Sequence, residues 1–340
     1  MTRLAVYHPV GRHPTAGGAA GAILPAAVAV AVGSALLAGW APVRFSIVTV
    51  FLFAGPHNWL EARYFLTRLP ARWGRLRPFF VTGIGGALAL AAAYAALPWL
   101  ADRAGWGPDG RSVAAAAWAT ALIGWVAALV QMRSRTNPRR DWSWTLPVAV
   151  ALVGFGWLRP AYVFLGLIYL HPFIALWLLD RELRRSKPHW LGPYRRCLAC
   201  LPVLLAVLWW QLAATPDLLG DDGLTARITG HAGAGVLPGV STHVLVATHA
   251  FLEMLHYGVW VLAIPLAGLR AAPWALGDVP LARRAPSWRV GVAAVLVGGA
   301  AVVLALWAGF AADYVVTRDV YFTVALVHVL AEAPFLIRSL

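Results

Sequence analysis

The sequence predicts an all-α, polytopic membrane bundle of about ten transmembrane helices with both termini cytoplasmic, on three observations. Of the 340 residues, 60% are hydrophobic and 12% charged, and the mean hydropathy is +0.69, a balance found in integral membrane proteins. Apolar runs of bilayer-spanning length recur along the whole chain. Basic residues concentrate in every second connection between those runs.

The spans are predicted near 20–40, 44–66, 79–101, 112–132, 143–160, 161–180, 195–214, 243–268, 289–313 and 318–337. Each is an apolar window of about 20 residues, the length that crosses ~30 Å of hydrocarbon. The fifth is short and reads as tilted or re-entrant. The polar, basic start MTRLAVYHPVGRHPTAGG resembles the front of a signal peptide. Removing the first span would leave an odd number with one terminus outside, so it reads as a retained anchor. The longest connection, 215–242, reads as a Gly-containing loop, and the chain forms a single transmembrane domain, 1–340.

The net charge of +14 raises the question of a nucleic-acid partner, and its distribution argues against one. Arg63, Arg68, Arg72, Arg75 and Arg77 follow span two, and Arg133, Arg135, Arg139 and Arg140 follow span four. Arg181, Arg184, Arg185, Lys187, Arg195 and Arg196 follow span six; Arg270, Arg283 and Arg284 follow span eight. By the positive-inside rule the even-numbered helices run from outside to inside. The charge is topology, with some attraction to anionic lipid. This predicts a multi-pass protein of a bacterial cytoplasmic (inner) membrane, with lipids as its surroundings.

Cys197 and Cys200 form a lone CxxC, which reads as small apolar filling and excludes a disulfide framework. Tryptophans at loops and span ends read largely as interfacial anchors. Chemistry must be sought elsewhere. The chain has ten histidines and only four glutamates, three of which follow a histidine by four positions in apolar sequence: His57/Glu61, His249/Glu253 and His328/Glu332. His171 stands in an apolar span without such a partner, and His256 extends the second pair. Residues four apart share a helix face, and ionisable groups deep in a membrane usually mark a site.

His57, His171, His249, His256 and His328 all fall on even-numbered spans, hence on helices parallel to one another. At ~1.5 Å rise per residue they cluster around the bilayer centre. Offsets of 0, 4 and 7 place His249, Glu253 and His256 at about 0°, 40° and −20° around their helix, on one face. The Glu-x-x-His half is the spacing of inward-facing ligands in di-iron bundles. Imidazole with carboxylate suits iron, manganese or zinc. His8, His13, His189, His231 and His243 lie in tails, in loops or at a span mouth and are set aside.

Other chemistries are absent or weak. There is no HExxH, G-x-S-x-G or Walker loop, and the HxxxH and HxxHH boxes of membrane desaturases and alkane hydroxylases are missing. Gly83–Gly86 and Gly298–Gly299 read as helix-packing positions. Asp217, Asp221 and Asp222 read as solvated topology charge rather than a calcium site.

At GPHNWLEARYF the chain resembles the Brp/Blh family, membrane-integral β-carotene 15,15′-dioxygenases with histidines proposed to hold a non-haem iron. The family's first motif is PHG-x-x-D. Pro56-His57 and Glu61 match its frame, with Asn58 in place of glycine and glutamate in place of aspartate. The nearest counterpart of the family's later His-x-x-x-His is His249 with Glu253. The resemblance covers about a tenth of the chain. It implies an iron-dependent oxygenase acting on an apolar isoprenoid, either by carotenoid cleavage or by the chemistry of a sister family.

The expectation is therefore a metal site with His57, His171, His249 and His328 as ligands, joined by Glu253 and His256. Glu61 and Glu332 would orient imidazoles or, with two irons, bind metal themselves. Tyr169 and Tyr257 would either donate hydrogen bonds to oxygen or serve as packing. The partners are an apolar small-molecule substrate and O2; an electron donor is not specified by the residues. Two rivals stay open: haem held by axial histidines in an electron-transfer protein, and a proton or divalent-metal transporter.

Overall fold

The computed structural model describes residues 16–137, 141–218, 220, 222–268 and 275–339. Arg139, Arg140, Asp221 and Arg270 of the charge pattern lie outside the described residues. The described residues are helical, with no strand among them. The helices are α1 (Ala16–Trp40), α2 (Pro42–Arg68), α3 (Arg77–Arg103), α4 (Pro108–Thr136), α5 (Thr145–Leu158) and α6 (Pro160–Ser186). They continue as α7 (Pro188–Leu212), α8 (Gly223–His231), α9 (Thr242–Gly258), α10 (Ile264–Gly268), α11 (Pro286–Ala312) and α12 (Tyr314–Ser339). A π-helical turn, Val259–Ala263, fuses α9 to α10.

Five of these helices begin on proline, at Pro42, Pro108, Pro160, Pro188 and Pro286. Proline suits the first turn because the missing N–H would have no intrahelical acceptor there. Arginines close α2, α3, α4, α6 and α12, where they oppose the negative end of the helix dipole. Connections between neighbours are correspondingly short.

Seven helical segments are long and apolar enough to cross a membrane: Gly74–Arg103, Pro108–Thr136, Pro160–Ser186, Pro188–Leu212, Thr242–Ala267, Pro286–Ala312 and Tyr314–Ser339. The chain is accordingly a multi-pass membrane protein. Two further expected spans fall outside this set for physical reasons: α5 is short, and α2 carries Arg44, His57, Glu61, Arg63 and Arg68 among its 27 residues. The loop expected over 215–242 contains α8, capped where the Asp222 side chain accepts from the Thr225 amide.

Four helices form a closed square at the centre, with α2 packed on α9, α9 on α6, α6 on α12 and α12 on α2. Around them, α1 and α7 cover α9, α11 covers α2, and α3 and α4 cover α12 and α6. Within their apolar windows 56% of α9 is buried, against 11% of α7 and of α11. Outer helices show Leu36, Trp210, Val302 and Leu304 outward, an apolar belt suited to lipid. Small residues let the helices approach. A Cβ on Gly83 would stand 2.8 Å from Pro334 Cβ, and one on Gly299 would stand 2.8 Å from Trp59. Gly85 and Gly298 meet nothing and are not packing positions.

Each of the four central helices carries an interruption of the helical hydrogen-bond pattern, near midspan in α2 and α6 and toward the C-terminal end in α12 and α9. Pro56 lies in α2, Pro172 in α6 and Pro334 in α12, each removing one backbone donor. In α9 the irregularity is the π-turn, a feature frequent at functional sites. These interruptions fall beside His57, His171, Glu332 and His256 respectively.

Candidate metal centre

The four central helices bring His57, His171, His256 and His328 together. Two groups of side chains are spaced so that each residue's ligand atom lies within 4.8 Å of the others: His57, Glu61, His256 and His328, and His171, His256 and Glu332. His256 belongs to both, so they form one continuous cluster. Its imidazoles are close, with ring centroids 4.1 Å apart for His171 and His256 and 5.0 Å for His57 and His328.

Hydrogen bonds on the far nitrogens decide what this cluster presents. His57 Nδ1 lies 2.8 Å from the Phe53 carbonyl oxygen. That oxygen can only accept, so Nδ1 carries the proton and Nε2 offers a lone pair. His171 Nδ1 donates to Glu332 Oε2 at 2.9 Å, which leaves its Nε2 likewise as a lone pair. Between them stands His328 Nε2, 3.5 Å from the Nε2 of His57 and 3.3 Å from that of His171. One proton on His328 Nε2 can satisfy only one of the two contacts. The other imidazole is left with a lone pair and no donor.

A cation removes that conflict. Imidazole nitrogens sharing one tetrahedral ion at 2.0–2.1 Å lie about 3.3–3.4 Å apart, the separation found here. The His171–Glu332 contact has the form by which a carboxylate orients a metal-binding imidazole. Both carboxyl oxygens of Glu61 and both ring nitrogens of His256 are buried without a hydrogen-bond partner among the described residues. Leaving one such charge uncompensated costs about 3–5 kcal/mol. The donor set of imidazoles and carboxylates, without thiolate, fits a first-row metal ion.

The other expected site residues stand apart. His249 lies seven residues outward of His256 on α9, about 10 Å of rise. It faces His231 (ring centroids 5.0 Å apart), while its Nδ1 is 3.9 Å from Glu253 Oε2. Glu253 Oε1 accepts a 2.7 Å hydrogen bond from the Tyr257 hydroxyl. The shared face holds in that all three line one cavity, but height separates His249 and Glu253 from the cluster. Tyr257 packs its ring on His57 at 4.5 Å. Tyr169 spends its hydroxyl on the carbonyls of Ala232 and Leu245, at 2.9 and 3.2 Å, so it points away from the cluster.

His231 was passed over in the sequence as a loop residue, yet it ends α8 and lines the same cavity. The one available signal was Asp222 followed by Thr225, a helix-capping pair in a stretch otherwise read as loop. The fourth glutamate, Glu182, binds Arg68 and accepts from the Tyr64 hydroxyl at 3.0 Å, tying α6 to α2 near their C-terminal ends. Cys197 and Cys200 are half-buried and unpaired.

The cavity, about 450 Å³, extends outward from the cluster between α6, α8, α9 and α12. The ion-paired Arg227 and Asp319, both exposed, stand at its rim. On the opposite side of the cluster stands aromatic packing: Phe65 and Phe335 stack at 4.2 Å, and Trp260 packs edge-on against Phe65. Comparison with protein-family models, with curated proteins and with solved structures gives no match.

Proposed function

We propose that this chain is a membrane-embedded non-haem iron oxygenase acting on an apolar lipid or isoprenoid. His57, His171, His256 and His328 would hold the metal, with Glu61 as a further ligand and Glu332 orienting His171. The observation that carries this reading is the meeting of three Nε2 atoms, two of them fixed as lone pairs. Iron is preferred over manganese or zinc on the resemblance of GPHNWLEARYF to the carotene dioxygenases. Bound iron would supply the redox activation of O2 that an apolar, unactivated substrate requires.

The chain's own residues supply the rest. Phe53 and Glu332 hold two imidazoles in one tautomer and orientation. The aromatic packing on the side opposite the cavity shields the cluster from water in that direction. The cavity admits substrate from the outer side of the bundle. Ten spans with both termini cytoplasmic, in a bacterial inner membrane, is the topology we propose with this function, on the arginine pattern.

The haem alternative needs a gap wide enough for a macrocycle between facing histidines. The four rings instead lie within 4.1–5.2 Å of their neighbours. The transporter alternative needs a path that continues past the cluster, where Phe65, Trp260 and Phe335 stand. Metal analysis of detergent-purified protein, with its absorption spectrum and the His171→Ala variant alongside, tests the proposal. We expect iron in wild type, much less in the variant, and no Soret band. Folded protein lacking bound metal, or one showing a Soret band, overturns it.

A further inference from the structure

Outward of the cluster, the cavity wall carries an arginine and a carboxylate that form no salt bridge with each other. Arg318 on α12, ten residues (about 15 Å of rise) from His328, is 4% exposed, and its guanidinium lies over the Phe322 ring at 4.6 Å. Glu253 on α9, one turn from His256, lines the same cavity. The two side chains do not meet. Arg318 Nε and Glu253 Oε2 are both buried, and neither has a hydrogen-bond partner among the described residues. Other groups cannot close the gap. Asp319 is engaged by Arg227, Glu253 Oε1 is taken by Tyr257, and His249 approaches Oε2 only to 3.9 Å.

A buried donor and a buried acceptor, both lining one cavity, call for a group that accepts from one and donates to the other. The pair is neutral overall, so a net charge on the bridging group would be left unbalanced. A hydroxyl meets both demands. Between this pair and the histidines the wall is apolar, formed by Phe164, Leu167, Leu252, Leu326 and Val329. We propose that the cavity takes a long-chain, isoprenoid-type alcohol, its hydroxyl bridging Arg318 and Glu253 and its hydrocarbon directed along this wall. This rests on reading the cavity as the substrate chamber. It places the oxygen-bearing end of the ligand outward of the metal cluster.

The test is equilibrium binding of three C20 probes to purified full-length protein in an uncharged detergent: phytol, its parent hydrocarbon phytene and the carboxylate phytanate. We expect phytol to bind at least about tenfold more tightly than phytene, as one well-made buried hydrogen-bond pair allows. Phytanate should bind no better than phytol. In Arg318→Gln and in Glu253→Gln the preference for phytol over phytene should fall below about threefold. Equal binding of phytol and phytene by wild type overturns the proposal, and tighter binding of phytanate replaces it with an anion site. If a variant does not fold, the wild-type comparison alone still decides. Metal content is measured on the same samples. A metal-bearing protein without hydroxyl preference would sink this inference alone, and a metal-free protein with that preference would sink the oxygenase reading alone.

Discussion

Two regions of the bundle interior use the same ingredients and reach opposite electrostatic demands. The inner cluster and the outer group are each built on a histidine with a glutamate four residues later, at His57/Glu61 and His328/Glu332 inside and at His249/Glu253 outside. Inside, the partners contributed by other helices are more imidazoles and carboxylates, so lone pairs converge and a cation is called for. Outside, α12 contributes Arg318, a cation opposite the carboxylate, and Arg318 Nε and Glu253 Oε2 are both left without hydrogen-bond partners among the described residues. The contrast teaches that the i, i+4 pair is not itself a site. Its neighbours in space decide what it binds.

The sharpest way to break the comparison is His328→Ala. His328 Nε2 touches both other fixed lone pairs, so its loss should drop bound metal by more than about tenfold, while His249→Ala leaves metal content near wild type. Elemental analysis of the purified variants decides, and equal losses would abolish the distinction between the regions. Next in size is the pair Glu332→Gln and Glu253→Gln. Loss of the carboxylate behind His171 should weaken metal binding by about 10–100-fold, whereas Glu253→Gln should change it less than about threefold. Competition with a chelator measures both.

A packing change gives a smaller effect. Gly83→Ala puts a methyl 2.8 Å from Pro334, one half-turn from Glu332, and should destabilise the protein by about 1–3 kcal/mol. Gly298→Ala, which meets nothing, should leave the melting temperature unchanged. The smallest effect concerns pH at the outer region. The Thr225 amide holds the Asp222 carboxyl below its ordinary value. Its cap on α8 is therefore fully present above about pH 4 and lost as pH falls through that value and then through the lower folded one. Hydrogen exchange should show the α8 amides loosening on acidification before the cluster helices do. Identical exchange of α8 in Asp222→Ala and wild type at neutral pH would remove the cap from the account.

The histidine-bearing helices were legible in the sequence because rare ionisable residues stand out in apolar spans and rise per residue sets their height along a helix. Those two features singled out α2, α6, α9 and α12, the four helices that form the square. What stayed illegible was partnership. Glu332 follows His328 by one turn, yet it bonds His171 of another helix. His256 looked like an accessory to His249 and Glu253, and it sits in the cluster while they do not. His231 gave no periodic signal because α8 is short and its neighbours in sequence are polar.

By itself the sequence determined an all-helical membrane chain and which side chains share a face. Those follow from hydrocarbon thickness and the 3.6-residue turn, both local quantities. Only the tertiary structure decided that the three His–Glu pairs divide between a cation-demanding cluster and a group, farther out along the same cavity, that faces Arg318. That division depends on which face of α6 meets α12 and where Arg318 falls against α9. Such lateral registry is set by side-chain packing between helices distant in sequence, which no local period encodes.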